Sequence, residues 1–336
     1  MTRLVDGYGR RLDYLRLSIT DRCNLRCYYC MPETGVAPRP HADILTYEEL
    51  LRVARAGVAL GIRHIRVTGG EPLVRRDVVG FCGELARQAG GCDLSLTTNG
   101  TLLGPLAGDL RRAGVRRVNI SLDTLDAARY RDITRRGEFA AAWQGLQAAL
   151  EAGFDPVKVN VVVVRGANDD EVAGFAALTA RLPVHVRFIE AMPLGPVGRL
   201  AAGRHVPAAE VRARLEHALG ALLAVAPGSR PAGAGPAAVY RLPGSRGTVG
   251  FIPALSACFC DRCNRLRLTA DGRLLSCLCG GPEVALGPVL RGGGTDDEII
   301  AALRSAAAQK PRRHSLGAGD AQEDGASRRT MSRLGG

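Results

Sequence analysis

Through the first 190 residues, short apolar runs alternate with longer stretches in which apolar positions recur every third or fourth residue. The short runs carry the strand signature and the longer stretches the helical one. Strands are expected at residues 15–19, 62–67, 94–98, 115–122, 157–164 and 184–190, and helices at 46–60, 74–88, 102–113 and 139–152. Thr46, with Glu49 three residues on, reads as a capping box at the first helix. Asn168-Asp169-Asp170-Glu171 reads as the cap of a further helix. Six strands, each followed by a helix or loop, predict a parallel α/β sheet, open or barrel-like. In such sheets the chemistry gathers at the C-terminal strand ends. Residues 69–71, 97–99 and 121–123 fall there, as does a cysteine-rich loop after the first strand.

Past Leu194 the alternation stops. A helix is expected at 208–223, followed by a Pro/Gly-rich stretch at 226–236 whose composition marks a mobile loop. Strand-like pieces at 238–242 and 248–252 precede a second cysteine-rich segment and a helix at 296–308. From Lys310 the chain is polar and reads as a flexible tail. The expected division is therefore 1–195, 196–310 and 311–336.

The first cysteine loop, Thr20-Asp21-Arg22-Cys23-Asn24-Leu25-Arg26-Cys27-Tyr28-Tyr29-Cys30, carries three thiols in a Cys-x3-Cys-x2-Cys spacing. A cubane iron–sulfur cluster normally takes one thiolate on each of its four irons. Three thiolates on one loop leave the fourth iron open to an outside ligand. The alternatives are a zinc knuckle or a disulfide fragment, but zinc sites favour paired Cys-x2-Cys units and four ligands. The second set is Cys260, Cys263 and Cys277, flanked by Cys258 and Cys279. Either flanking thiol could complete a four-thiolate zinc or iron–sulfur site, so spacing alone leaves a structural zinc ribbon open. Cys82 and Cys92 read as small buried apolar residues.

The first loop, followed one strand later by Gly69-Gly70-Glu71-Pro72, resembles the radical S-adenosylmethionine superfamily. Within it, the run Cys260-x2-Cys263-Asn264-Arg265-Leu266-Arg267-x9-Cys277 is similar to the GTP 3′,8-cyclase family. So are residues 13–32, 62–76, 96–100, 117–123, 157–170 and 186–192, and the ending Met331-Ser332-Arg333-Leu334-Gly335-Gly336. The resemblance implies an incomplete TIM-like (βα)6 radical SAM barrel with a C-terminal α+β extension carrying a second iron–sulfur cluster. It implies a 4Fe–4S cluster on Cys23, Cys27 and Cys30, with S-adenosylmethionine on the open iron. Backbone at Gly70 would meet the cofactor's amino group, Tyr29 would lie by its adenine, and Ser121 and Met192 would stand nearby. A second 4Fe–4S cluster would sit on Cys260, Cys263 and Cys277, facing the purine of GTP, with Cys258 and Cys279 as bystanders.

The same resemblance assigns GTP contacts to Arg16, Arg66, Thr97, Lys158, Arg265 and Arg267, with Arg265, Arg267 and Lys158 as the catalytic candidates. The residues carry their own rationale. Lys158 and Asn160 share one face of a strand whose other face is valine. A lysine there is costly to bury without a partner, and the planar fork of arginine suits phosphate. A structural ion pair is the alternative for any one of them. The implied reaction is radical cyclisation of GTP to (8S)-3′,8-cyclo-7,8-dihydroguanosine 5′-triphosphate, the first step of molybdenum cofactor biosynthesis. Cyclic pyranopterin monophosphate synthase would take the product, and a homodimer is the family expectation. The Gly335-Gly336 end would reach into the active site.

Charge and composition narrow the rest. The chain carries a net charge of +12, and Lys158 and Lys310 are its only lysines among 45 basic residues. That balance suits a polyphosphate or a nucleic acid, but aromatics are not interleaved with the basic residues, which argues against nucleic acid. No apolar run is long enough for a bilayer, and no signal-peptide pattern is present. Ten cysteines without such a signal point to a reducing compartment, the cytoplasm. Two rivals stand beside the cyclase. A peptide-modifying radical enzyme with an auxiliary cluster has no reason to carry Arg265, Arg267 or the Gly-Gly end. A zinc-binding nucleic-acid module would be colourless, whereas an iron–sulfur protein is brown.

Overall fold

In the computed structural model, which describes residues 3–194, 203–233, 235–314, 316 and 330–335, twelve strands join one sheet. The six expected strands are β1 (Tyr14–Ser18), β2 (His64–Thr68), β3 (Asp93–Thr98), β4 (Arg117–Ser121), β5 (Val157–Val163) and β6 (Val184–Glu190). They pair in chain order and in parallel. The helices between them are α1 (Tyr47–Ala59), α2 (Val78–Gln88), α3 (Ala107–Arg112), α4 (Ala127–Thr134) and α5 (Phe139–Glu151), with α6 (Val172–Arg181) between β5 and β6. The capping box at Thr46 forms as expected, each partner bonding the other's backbone. The run at 168–171 works differently. Asn168 bonds Val164 N, Asp123 O and Val162 O, so it staples the end of β5 rather than capping α6.

The segment beyond residue 196 adds α7 (Ala208–Leu219) and strands β7 (Leu223–Ala224), β8 (Ala238–Arg241), β9 (Thr248–Ile252), β10 (Arg265–Leu268), β11 (Arg273–Leu275) and β12 (Glu283–Ala285). After them come α8 (Gly287–Arg291), α9 (Asp296–Ala308) and a short C-terminal helix, α10 (Met331–Leu334). These strands extend the core sheet at both edges, in the order β12-β11-β10-β1-β2-β3-β4-β5-β6-β9-β8-β7. Both β10 on β1 and β9 on β6 pair in parallel, which makes eight parallel strands at the centre.

Period-two alternation gives this sheet two chemically distinct faces. Leu15, Leu17, Ile65, Val67, Leu94, Leu96, Val118, Ile120, Val157, Val159 and Val161 are buried with helix residues such as Leu50, Phe81, Leu110, Leu146 and Phe175. The other face is polar, and register sets its members side by side. Arg267 pairs with Arg16, Arg16 with Arg66, and Arg66 with Ser95, across β10, β1, β2 and β3. Three neighbouring arginines repel one another, so the row favours a site that receives an anion. No helix among the described residues is long and apolar enough to cross a membrane.

Candidate active site

The polar face lines a cavity of about 880 Å³. Both cysteine sets border it, as do Arg16, Arg66, Thr97, Arg265 and Arg267, and Tyr29, Gly70, Ser121 and Met192. Lys158 is the one expected site residue absent from that lining. It is 1 % exposed, and its Nζ donates to the carbonyls of Ala232 and Gly233 at 2.5 and 2.9 Å. The Pro/Gly-rich stretch thus lies over this lysine, with Gly233 on the cavity wall.

At one end, the first cysteine loop closes as a turn in which Cys27 O accepts from Cys30 N and Met31 N. Burial pushes the thiol of Cys23 up to about 11 and that of Cys30 to about 12, and Cys27 also rises. Three thiols grouped on a cavity wall and costly to ionise alone form a donor set that a metal cluster would deprotonate on binding. The Gly-Gly-Glu-Pro turn lies flat on this loop. A Cβ at Gly70 would meet Arg22 O at 2.4 Å, and one at Gly69 would meet Thr20 O at 2.7 Å. Both glycines are therefore needed for backbone packing here, whatever else Gly70 contacts. Glu71 fixes the turn to the end of β3, accepting from Leu73 N, Thr98 Oγ1 and Asn99 N. Tyr29 donates its hydroxyl hydrogen to Asp123, whose other oxygen accepts from Val162 N at 2.8 Å. Burial raises the Asp123 carboxyl to about 6.

At the other end, the second cysteine set sits among cations. Burial pushes the Cys263 thiol up, but the ammonium of Lys310 and the guanidinium of Arg265 outweigh it, and the net shift is downward. Cys277 is pushed down to about 5, chiefly by the thiol of Cys279, which keeps the proton. Cys277 is thus the more readily ionised thiol of the pair, with Cys279 as its hydrogen-bond donor. Lys310, expected at the start of a flexible tail, is 3 % exposed and donates to the carbonyls of Arg265 and Ser276.

Between the two ends lies the cationic wall. Burial and mutual repulsion push Arg267 down to about 10 and Arg187 to about 9, and lower Arg16 and Arg66 as well. Lys158 is pushed down to about 4, through burial and then through Arg187, Arg117 and Arg66. The short helix α10 also borders this space, through Met331 and Ser332. Gly335 O accepts from Arg267 Nη1 at 3.0 Å, and Arg333 reaches Ala37 O. Gly336 lies outside the described residues. Sequence reasoning missed Arg187 and Lys310. The available signal for Arg187 was the one that marks Lys158, a cation on the inward face of a valine-rich strand.

Comparison with known proteins bears on this arrangement. A family model described as the Radical SAM superfamily matches residues 17–179, and one described as Molybdenum Cofactor Synthesis C matches residues 184–316. The GTP 3′,8-cyclase of Pelotomaculum thermopropionicum is 52% identical over 335 residues, covering 98% of this chain and 99% of its own. That of Desulforamulus reducens is 48% identical over 334 residues, covering 99% of this chain and 100% of its own. Among solved structures, Streptococcus suis SuiB bound to S-adenosylmethionine matches with a TM-score of 0.60. It covers 89% of this chain and 69% of its own at 12% identity, a likeness of fold alone.

Proposed function

The chain belongs to the GTP 3′,8-cyclase family of radical S-adenosylmethionine enzymes, and from that membership we propose how its own residues hold cofactors and nucleotide. It is a radical GTP cyclase of molybdenum cofactor biosynthesis, which leaves no place for the peptide-modifying or zinc-module readings. Cys23, Cys27 and Cys30 hold a 4Fe–4S cluster with S-adenosylmethionine, framed by Gly70, Tyr29, Ser121 and Met192. Cys260, Cys263 and Cys277 hold a second 4Fe–4S cluster, with Cys258 and Cys279 outside its ligand set. We keep residues 1–195 as the radical core, 196–310 as the extension and 311–336 as the tail. Assembly as a homodimer and hand-over to cyclic pyranopterin monophosphate synthase are carried from the family.

Cys23, Cys27 and Cys30 would hold the first cluster, and with S-adenosylmethionine bound beside Gly70 and Tyr29 it would supply the radical chemistry for cyclising GTP. The protein's share is binding, orientation and exclusion of water. Arg16, Arg66 and Arg267 form a row of guanidinium forks for the triphosphate, with Thr97 beside them and Lys158 joining once its loop carbonyls give way. Arg265 and Arg267 hold the nucleotide against the second cysteine set. The observation that carries this reading is the arginine row inside a cavity bordered by both three-cysteine sets.

The test is single-turnover analysis of anaerobically reconstituted protein with dithionite, S-adenosylmethionine and GTP. Formation of (8S)-3′,8-cyclo-7,8-dihydroguanosine 5′-triphosphate together with 5′-deoxyadenosine is expected. 5′-Deoxyadenosine without loss of GTP, in protein with both clusters intact, would refute the substrate assignment.

A further inference from the structure

The three cysteines of the second set and the two that flank them are not equivalent. One ligand atom each from Cys258, Cys260 and His314 lie within 4.8 Å of one another. His314 follows α9 in the chain and returns to the cysteine segment, where its Nε2 lies 2.9 Å from Ala254 O. A carbonyl oxygen only accepts, so Nε2 carries the ring proton and Nδ1 keeps a bare lone pair. That Nδ1 is buried and has no hydrogen-bond partner. A ring N–H held by a backbone carbonyl, with the opposite nitrogen left bare, is the arrangement found in metal-ligating histidines.

We propose that Cys258, Cys260 and His314 form a mononuclear site for a borderline-soft divalent cation, Zn²⁺ or Fe²⁺, in protein whose second cluster is not yet assembled. Two thiolates and an imidazole suit both ions. Tetrahedral coordination, with metal–sulfur near 2.3 Å and metal–nitrogen near 2.0 Å, sets ligand separations of roughly 3.5–3.8 Å. Small side-chain rotations reach that from the present spacing. All three residues border the cavity, so the fourth position opens into it. Binding releases the two thiol protons to solvent and changes no oxidation state. Cys260 belongs both to this set and to the proposed cluster set, so ion and cluster exclude one another. That exclusion is the one point resting on the cyclase reading.

The experiment titrates Co²⁺ into iron-free, full-length protein under anaerobic conditions, with no nucleotide present. One equivalent is expected to bind with sulfur-to-cobalt charge transfer and the intense visible bands of a tetrahedral site. Cys258→Ser and His314→Gln should each weaken binding about tenfold or more, while Cys263→Ser and Cys277→Ser leave it unchanged. Circular dichroism melts establish that each variant is folded. A spectrum that survives Cys258→Ser and His314→Gln but is lost in Cys263→Ser overturns the proposal, as does the absence of a one-equivalent tetrahedral spectrum. Neither result touches the cyclase assignment, because the titration needs neither cluster nor GTP.

Discussion

Arg267 Nη1 lies 3.0 Å from the carbonyl oxygen of Gly335, so the strand beside the second cysteine set also holds the end of the chain. Gly335 has a φ of 71°, and a Cβ there would lie 2.9 Å from Ser18 Cβ. Left-handed backbone alone costs an alanine about 1–2 kcal/mol, and the crowding adds to it. Gly335→Ala should therefore unseat α10, exposing the bond after Arg333 to trypsin. Product formation is expected to fall at least tenfold while iron content and S-adenosylmethionine binding stay unchanged. Wild-type turnover in this variant would make the tail a bystander.

Lys158 gives the nucleotide a proton signature. Its amine is pushed down to about 4 while it donates to the Ala232 and Gly233 carbonyls. A polyphosphate that replaces those carbonyls favours the ammonium form. GTP binding at pH 8 should thus take up about one proton, measurable by calorimetry in buffers of different ionisation enthalpy. Lys158→Met is expected to bind GTP more weakly and without that uptake. Uptake unchanged in the variant would move the proton to another group.

Lys158 is legible in the sequence because a lone lysine in a valine run is conspicuous. Arg187 obeys the same rule on the next strand, yet a chain so rich in arginine hides it. The parallel core is legible for a related reason, since each βα unit writes its own local period. β9 is legible as a strand at 248–252 but not as the neighbour of β6, and β10 is not legible at all. Their partners β6 and β1 lie far away in sequence, and short strands take their stability from such neighbours. Gly70 shows the converse. Its motif is readable as a ligand contact, while its packing against Arg22 O appears only in three dimensions.

Glu71 makes stability depend on pH. Burial raises its carboxyl from 4.5 to about 7, despite three hydrogen bonds that favour the ionised form. Between those two values the folded protein keeps a proton that the unfolded chain has released. Stability therefore falls as pH rises across that window, by roughly 3 kcal/mol from this group. Asp123 contributes in the same direction between 3.8 and about 6. Urea midpoints of wild-type protein should drop from pH 5.5 to pH 8, and Glu71→Gln should flatten most of that drop. An equal slope in the variant would mean that Glu71 does not titrate in this range.

The two cysteine sets differ in the charges around them, and that difference predicts a difference in potential. Around Cys27 and Cys30 the neighbouring charges are Asp123 and the other thiols, all of which oppose further negative charge. Around Cys263 and Cys277 stand Lys310, Arg265 and Arg267. Cations favour the more negative, reduced state of a cluster and raise its potential. Lys310→Met should lower the potential of the proposed second cluster by tens of millivolts, on the order of 1 kcal/mol for one nearby charge. The first cluster should not move. Lys310→Arg keeps the charge and should restore the potential, which separates electrostatics from the loss of the bonds to Arg265 and Ser276. Redox titration followed by electron paramagnetic resonance reads both clusters in one sample. A shift common to both clusters, or one that arginine does not restore, would assign Lys310 a purely structural part.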